Sequence, residues 1–339
     1  MITVPVFPEL EPWLRNLRDH AISYIRSVRE RYAPIVEKSI EWIPLREGRR
    51  GRVAAVDSSF VGVETRLFYV FVVQSLALCS GGDRFSRIAR AGIIDYANLL
   101  AVKSGRVVKR FSPKNMLSFY AQALELESIS SIAEGAELAL LDGSIITFLM
   151  YRGRGIEELK VYRVGDEELT PLQVWSTKST LLKRLARITK PVFVAKSSLA
   201  GFYTGGSMPD MEILEALRLL GSRRFATRGF SEPRQLGREE LIRASRIPPE
   251  LADSVPFTAV TVTYARFVDG GPIYQVTIPG SVDSDELREI LERIAAWSPA
   301  GYPLPLESVH KLSKLTKKAV RKLLTHYGVP MVSGREAIE

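Results

Sequence analysis

The chain has 339 residues, one cysteine (Cys79) and three histidines (His20, His310, His326), which excludes a disulfide framework, a cysteine-cluster metal site and a histidine-rich zinc centre. Apolar residues make up 46% and charged residues 25%, so the chain can bury a sizeable core in about two domains, or in one core with a large elaboration, and is not mainly disordered. Lys and Arg total 47 against 38 Asp and Glu, a net charge of +9; such a surface attracts polyanions, nucleic acid first, although a basic protein without such a partner is the plainer alternative.

Residues 8–42 carry Leu10, Leu14, Leu17, Ile22, Ile25 and Val28 at roughly helical spacing, with Pro34 expected to break or restart the helix. A basic stretch, 46–52, precedes a strand over 53–57, a second β-prone stretch over 67–79 and a third over 93–102. Closely spaced strands with short turns predict an antiparallel meander. A helix is expected over 115–133, a short buried strand over 138–141 ending in Asp142-Gly143-Ser144, a helix over 172–188 and a strand over 191–195 ending in Lys196. Strands first clustered, then alternating with helices, imply an α/β fold with a mixed sheet flanked by helices. That order is the one used by the ribonuclease H-like fold, an analogy that does not itself assign a function.

Beyond residue 200 the pattern predicts a helix over 211–220 and an arginine-rich segment, 222–246, read as a candidate for backbone contact or a surface loop. A hairpin follows over 257–268 and 272–278 with Asp269-Gly270-Gly271 as its turn, then an amphipathic helix over 285–297 capped by Ser284. The last helix is expected over 307–324, where His310, Lys314, Lys317 and Arg321 would form one stripe suited to phosphates. The expected division is a helical region 1–48, a catalytic core 49–200 and an α+β part 201–339. The apolar run from residue 67 to 73 is too short to cross a bilayer, and Glu9, Glu11 and Arg15 come too early for a signal peptide. A cytoplasmic protein is expected.

Chemistry concentrates at strand ends. Val53, Ala55 and Asp57 share one strand face, and Asp142 follows four apolar residues in the same way. A carboxylate at the end of a buried strand is costly unless paired or bound to a metal. Two such acids on neighbouring strands could hold a hard divalent ion, magnesium or manganese, for phosphodiester chemistry; equally, each could cap a turn. Glu125 and Glu127 lie two apart on the 115–133 helix, so they do not share a face, and either could point inward. Lys196 could hold a phosphate beside such a cluster, Tyr302 could stack on a base or bond a phosphate, and solvated or packed roles remain open for both.

The segments Val-Ala-Ala-Val-Asp57-Ser-Ser, Leu-Leu-Asp142-Gly-Ser, Val-Ala-Lys196-Ser and Gly-Tyr302-Pro-Leu-Pro-Leu-Glu-Ser-Val-His310 occur in this order. Together, across roughly residues 50–315, they resemble the NurA nuclease family. The resemblance implies a ribonuclease H-like core that cuts DNA with a divalent metal, typically manganese, as a single-strand endonuclease and 5′-to-3′ exonuclease. It also implies a homodimer working with a hexameric HerA-type helicase-translocase in DNA end resection, mostly in archaea. Asp57 and Asp142 match the family's metal-binding aspartates; the helix acid is Glu125 or Glu127, with Glu127 favoured. Lys196, Tyr302 and His310 match the remaining polar positions near the site. One departure is Ser58, where the family pattern has glycine, which puts the local turn in question. Two other functions stay open: a non-catalytic DNA-binding or assembly subunit, and a phosphotransferase of the sugar kinase and actin type, which also places Asp at strand ends.

Overall fold

Helix α1 (Glu11–Ser39) opens the chain as described by the structure, a computed structural model covering residues 10–65, 68–95, 100–103, 106–109 and 111–330. The helix runs unbroken through Pro34, against the expected break: a proline near the C-terminal end removes one intrahelical bond, and Val28, Tyr32, Ala33 and Val36 still pack on the core. A short strand, β1 (Trp42–Pro44), leads to the meander β2 (Val53–Glu64), β3 (Phe68–Cys79) and β4 (Phe85–Asp95). Leu67 and residues 96–99, which the expected second and third strands included, lie outside the described residues; β5 (Leu100–Lys103) and β6 (Arg106–Lys109) pair with each other.

Next come α2 (Pro113–Ser130), β7 (Leu138–Asp142), a single turn α3 (Ile145–Phe148), the small strands β8 (Tyr162–Val164) and β9 (Glu167–Leu169), α4 (Pro171–Ile188) and β10 (Lys190–Ala195). Helix α4 begins on a reciprocal capping box between Thr170 and Gln173. The order strand, strand, strand, helix, strand, helix, strand that suggested the fold is present as β2, β3, β4, α2, β7, α4 and β10, with the small strands and α3 inserted.

The C-terminal part adds α5 (Asp210–Leu219), α6 (Arg223–Ala226), β11 (Gly229–Ser231), β12 (Arg234–Gly237), α7 (Arg238–Ala244), β13 (Ala259–Arg266), β14 (Tyr274–Pro279), α8 (Ser284–Ala296), α9 (Leu304–Ser313) and α10 (Lys317–His326). The β13–β14 hairpin is as expected; Gly270, at φ +66°, supplies the left-handed residue of its loop. The cap of α8 is Asp283 rather than Ser284, its carboxylate accepting from the backbone N–H groups of Asp285 and Glu286 at 3.1 and 2.9 Å.

One expected helix is two. The chain is extended at Lys314 and again at Thr316, whose hydroxyl caps α10 by accepting from the Ala319 N–H. Ser59 Oγ accepts from the Leu315 N–H at 2.9 Å, and the Gln74 amide donates to the Ser313 carbonyl at 2.7 Å, so the break is stitched to β2 and β3. His310 and the basic residues after it therefore do not form one helical stripe.

Twelve strands make one sheet in the order β1-β11-β13-β14-β10-β7-β2-β3-β4-β8-β9, with β12 beside β13. Strand β7 pairs in parallel with both β2 and β10; the other ladders of this path are antiparallel. Segments 1–48, 49–200 and 201–339 thus all contribute strands to the same sheet. Each face is covered. Ala54, Val56 and Leu141 pack under α2 and α4 with Leu117, Leu124 and Trp175. Val53, Ala55, Leu138, Leu140, Val192 and Val194 pack under α8 and α9 with Leu287, Leu291, Leu306 and Val309. Each large aliphatic among them contributes roughly 1.5–3 kcal/mol on burial, which holds the parallel strands rigidly where the polar residues begin. Among the described residues no helix is long and apolar enough to cross a membrane.

Candidate metal centre

Period-two alternation builds the site. On the face beneath α8 and α9, three adjacent parallel strands read Val53-Ala55-Asp57, Leu138-Leu140-Asp142 and Val192-Val194-Lys196, and each turns polar at the same end of the sheet. Asp57 does not end β2, which runs on to Glu64; what ends there is pairing with β7, whose last partners are Val56 and Leu141. The two aspartates sit where these strands part, at the carboxyl ends where open α/β sheets place ligands.

Helix α9 closes the site from above. His310 Nδ1 lies 2.7 Å from Asp57 Oδ2, and ligand atoms of Asp57, Asp142 and His310 lie within 4.8 Å of one another. Lys196 Nζ donates to Asp142 Oδ2 at 3.0 Å and stands 4.3 Å from the centre of the Tyr302 ring. Burial raises the Asp57 pKa above the usual carboxylate value; the hydrogen bond to His310 opposes that, and the Asp142 charge adds to it.

The α2 acid turned toward β2 is Glu125. It accepts a hydrogen bond from Ser58 Oγ, which alternates with Asp57 onto the α2 face of the strand. Burial, followed by the Asp57 and Asp142 charges, pushes its pKa up to about 8, against the Ser58 bond and the Lys178 charge that lower it. Glu127 points elsewhere: its side chain is 48% exposed and reaches Arg90 at 3.9 Å. Glu125, rather than the favoured Glu127, is therefore the α2 acid turned toward β2. Helix α2 is buried against β2 and β3 on one side and α4 on the other, so the sequence offers no polar face by which to choose.

The fit of this pocket to a hard divalent ion rests on its side chains. Oxygen donors predominate, and the Asp142 charge acts on Asp57 and both aspartate charges act on the half-buried Glu125, a repulsion that a cation relieves. The Tyr302 hydroxyl is buried. Burial, then the charge of Asp142 and a hydrogen bond to it, hold its pKa well above the ordinary phenol value, so it is a neutral donor turned toward the carboxylates.

Residues 51–315 match the NurA domain family. The chain belongs to the NurA family. Over 276 residues it is 24% identical to the DNA double-strand break repair nuclease NurA of Saccharolobus solfataricus, covering 72% of this chain and 78% of that protein. The crystal structure of the NurA nuclease from Sulfolobus solfataricus superposes with a TM-score of 0.68 at 17% identity, covering 95% of this chain and 97% of that one. A NurA structure bound to dAMP and manganese superposes with a TM-score of 0.58 at 14% identity, covering 95% and 98%. At these identities the superpositions show a shared fold.

In this NurA-family chain the expected residues Asp57, Asp142, Lys196, Tyr302 and His310 meet in one place. Tyr302 is packed there under Lys196 and against Tyr274, at 5.5 Å between ring centres. The arginine-rich segment is structured, and several of its cations are already engaged. Arg224 donates to the Ile40 carbonyl at 2.6 Å, Arg234 to Glu240 at 2.9 Å, and Arg238 to the Ala252 carbonyl at 2.9 Å.

Lys178 is a further polar residue beside the site. It is buried between the Phe119 and Phe148 rings and donates to Gln122 Oε1 and to the Phe148 carbonyl, each at 2.6 Å. Burial holds its pKa well below the usual lysine value, and the Glu125 charge opposes that. Its signal in the sequence is its place in the otherwise apolar stripe Pro171, Val174, Trp175, Leu182 and Leu185 of α4.

Ser58, the departure from the family glycine, lies inside an extended strand and makes no turn. Ser58→Gly should therefore not restore anything. It removes the donor to Glu125 and loosens the strand, for a loss of about 1–2 kcal/mol. Thermal melting of the metal-free protein checks this; a variant that melts higher than the parent would mean the position does want glycine.

Proposed function

We propose that this protein is a divalent-metal-dependent DNA nuclease of double-strand break repair, with Asp57, Asp142 and Glu125 as the acids of its metal centre. The observation that carries the reading is the convergence of Asp57, Asp142 and His310, far apart in sequence, with ligand atoms within 4.8 Å of one another at the ends of buried parallel strands. It is supported by the repair-nuclease name of the Saccharolobus relative and by the manganese and dAMP bound to a NurA protein of the same fold.

A manganese or magnesium ion held by these acids would supply a Lewis acid for the phosphodiester and a lowered pKa for bound water. The chain's own residues do the remaining work. The His310 Nδ1–H fixes the Asp57 carboxylate and leaves the exposed imidazole edge toward the substrate. Lys196, 45% exposed beside Asp142, can swing to a phosphate oxygen and neutralise charge developing there. The Tyr302 hydroxyl can donate to the same group, and its ring limits where Lys196 can go.

The finer reading is a single-strand endonuclease and 5′-to-3′ exonuclease, active as a homodimer with a hexameric HerA-type translocase in end resection. The decisive experiment is cleavage of single-stranded DNA by the purified protein. Fragments should appear with manganese and vanish with chelator; DNA binding with no cleavage in either condition would favour the non-catalytic subunit instead.

A further inference from the structure

Helix α10 lies beyond the matched family segment, which stops at residue 315. Its inner face, Val320 and Leu324, packs on Val63 and Val70. One flank is cationic. At about 100° per residue, Lys317, Arg321, Lys318 and Lys322 occupy one continuous arc along that flank of the helix, starting beside the packed edge at Leu324. All four are exposed, and none has an ion pair or side-chain hydrogen bond among the described residues. No Asp or Glu occurs between Ser308 and Pro330. A nearby cation, Lys311, is already held by Glu307, whereas exposed Lys314, just before the helix, adds to the uncompensated charge of the arc.

The arc is placed with respect to the metal centre by strand β2. Asp57, Ser59, Val61 and Val63 alternate onto one face: Asp57 takes His310, Ser59 takes the Leu315 N–H, and Val61 and Val63 lie under α10. The six residue-to-residue steps from Asp57 to Val63 span about 20 Å, or roughly six base pairs of rise at 3.4 Å each. Helix α10 itself is about 15 Å long. A rigid row of cations on that scale matches a rigid backbone. Single-strand binding uses aromatic platforms between the cations, and no aromatic ring stands within the arc.

Building on the nuclease reading, we propose that α10 is a duplex-binding helix, its Lys317, Lys318, Arg321 and Lys322 gripping the sugar-phosphate backbone of double-stranded DNA about 20 Å from the point of cleavage. It reads no bases. It holds the unprocessed duplex while the strand end reaches Asp57 and Asp142.

The test uses the full chain carrying Lys317→Ala, Lys318→Ala, Arg321→Ala and Lys322→Ala together, with binding read by fluorescence anisotropy in chelator so that cleavage plays no part. Against a 30-base-pair duplex from 50 to 200 mM salt, each lost phosphate contact lowers the slope of log affinity on log salt by about 0.9. The quadruple variant should lose about 2–4 from that slope, and at least about tenfold in affinity at the lowest salt, with an unaltered melting temperature. An unchanged slope overturns the proposal. So does a loss confined to single-stranded DNA, which would assign the helix to the displaced strand, and so does normal duplex binding with loss of an acidic protein partner. Because binding is read without metal, a parent that binds duplex through α10 yet fails to cut DNA when manganese is supplied would refute the nuclease reading alone.

Discussion

Asp57→Ala and Asp142→Ala should each lower manganese-dependent cleavage of single-stranded DNA by about 10³-fold or more. Each removes a charged oxygen donor from a cluster in which Asp57, Asp142 and His310 already crowd within 4.8 Å, so no other group can take its place without moving a strand. The neighbours should matter less. Lys196→Ala removes one cation that stabilises phosphate charge, worth about 10²-fold. His310→Ala removes the group that orients Asp57 at 2.7 Å, worth about 10- to 100-fold.

Stability separates this reading from a merely structural one. Burial raises the Asp57 pKa, which means that its charge opposes folding of the metal-free protein. Asp57→Asn keeps the shape and deletes the charge, so it should melt no lower than the parent while losing activity, as expected where stability has been exchanged for function. A variant that cleaves like the parent, or one that loses activity only by unfolding, would defeat the assignment.

The strand ends were legible because they obey the simplest rule available. In Val53-Ala55-Asp57 and Leu138-Leu140-Asp142 the period of two tells which side chains share a face, and a carboxylate after buried aliphatics needs a reason. The step from two strands to one site also needed the parallel pairing of β2 with β7, which the order of elements suggested and the ladder from Val53–Leu138 to Val56–Leu141 displays.

Helix α2 was not legible in the same way. Periodicity finds an inward face by contrast with a polar one, and a helix buried from Met116 to Ser130 on both the sheet and α4 has too little contrast. Glu125 and Glu127 could be separated only by three-dimensional partners, Ser58 for one and Arg90 for the other. The break before α10 was hidden for the opposite reason. Thr316 is a good cap, but apolar residues continue at helical spacing across it, and the bonds from Ser59 and Gln74 that favour the extended link come from residues more than two hundred positions earlier.

Glu125 should make the metal-free protein less stable as pH rises from about 5 to 8. Its pKa is near 8 in the folded chain and close to 4.3 in an unfolded one. Between those values the folded state keeps a proton that the unfolded state has released, so stability falls with pH. Below the unfolded value both states are protonated and the full stability is present; above about 8 both are ionised and the loss is complete. The total is on the order of 3–5 kcal/mol, enough to lower the melting temperature by several degrees. Glu125→Gln retains an oxygen that can accept from Ser58 and carries no proton to release. It should flatten most of this slope and raise the metal-free melting temperature at pH 8.

Manganese should act in the opposite direction. An ion that binds only the folded state stabilises it by mass action, and it favours the ionised carboxylates that burial disfavours. In the parent its stabilising effect should grow from pH 6 to pH 8, opposing the proton-linked loss; in Glu125→Gln it should be weaker throughout. Melting curves at both pH values, with manganese and with chelator, give the four numbers required. A parent whose melting temperature is independent of pH in chelator would show that Glu125 is not the half-buried, raised acid described here, and an equal response to manganese in parent and variant would remove it from the metal centre.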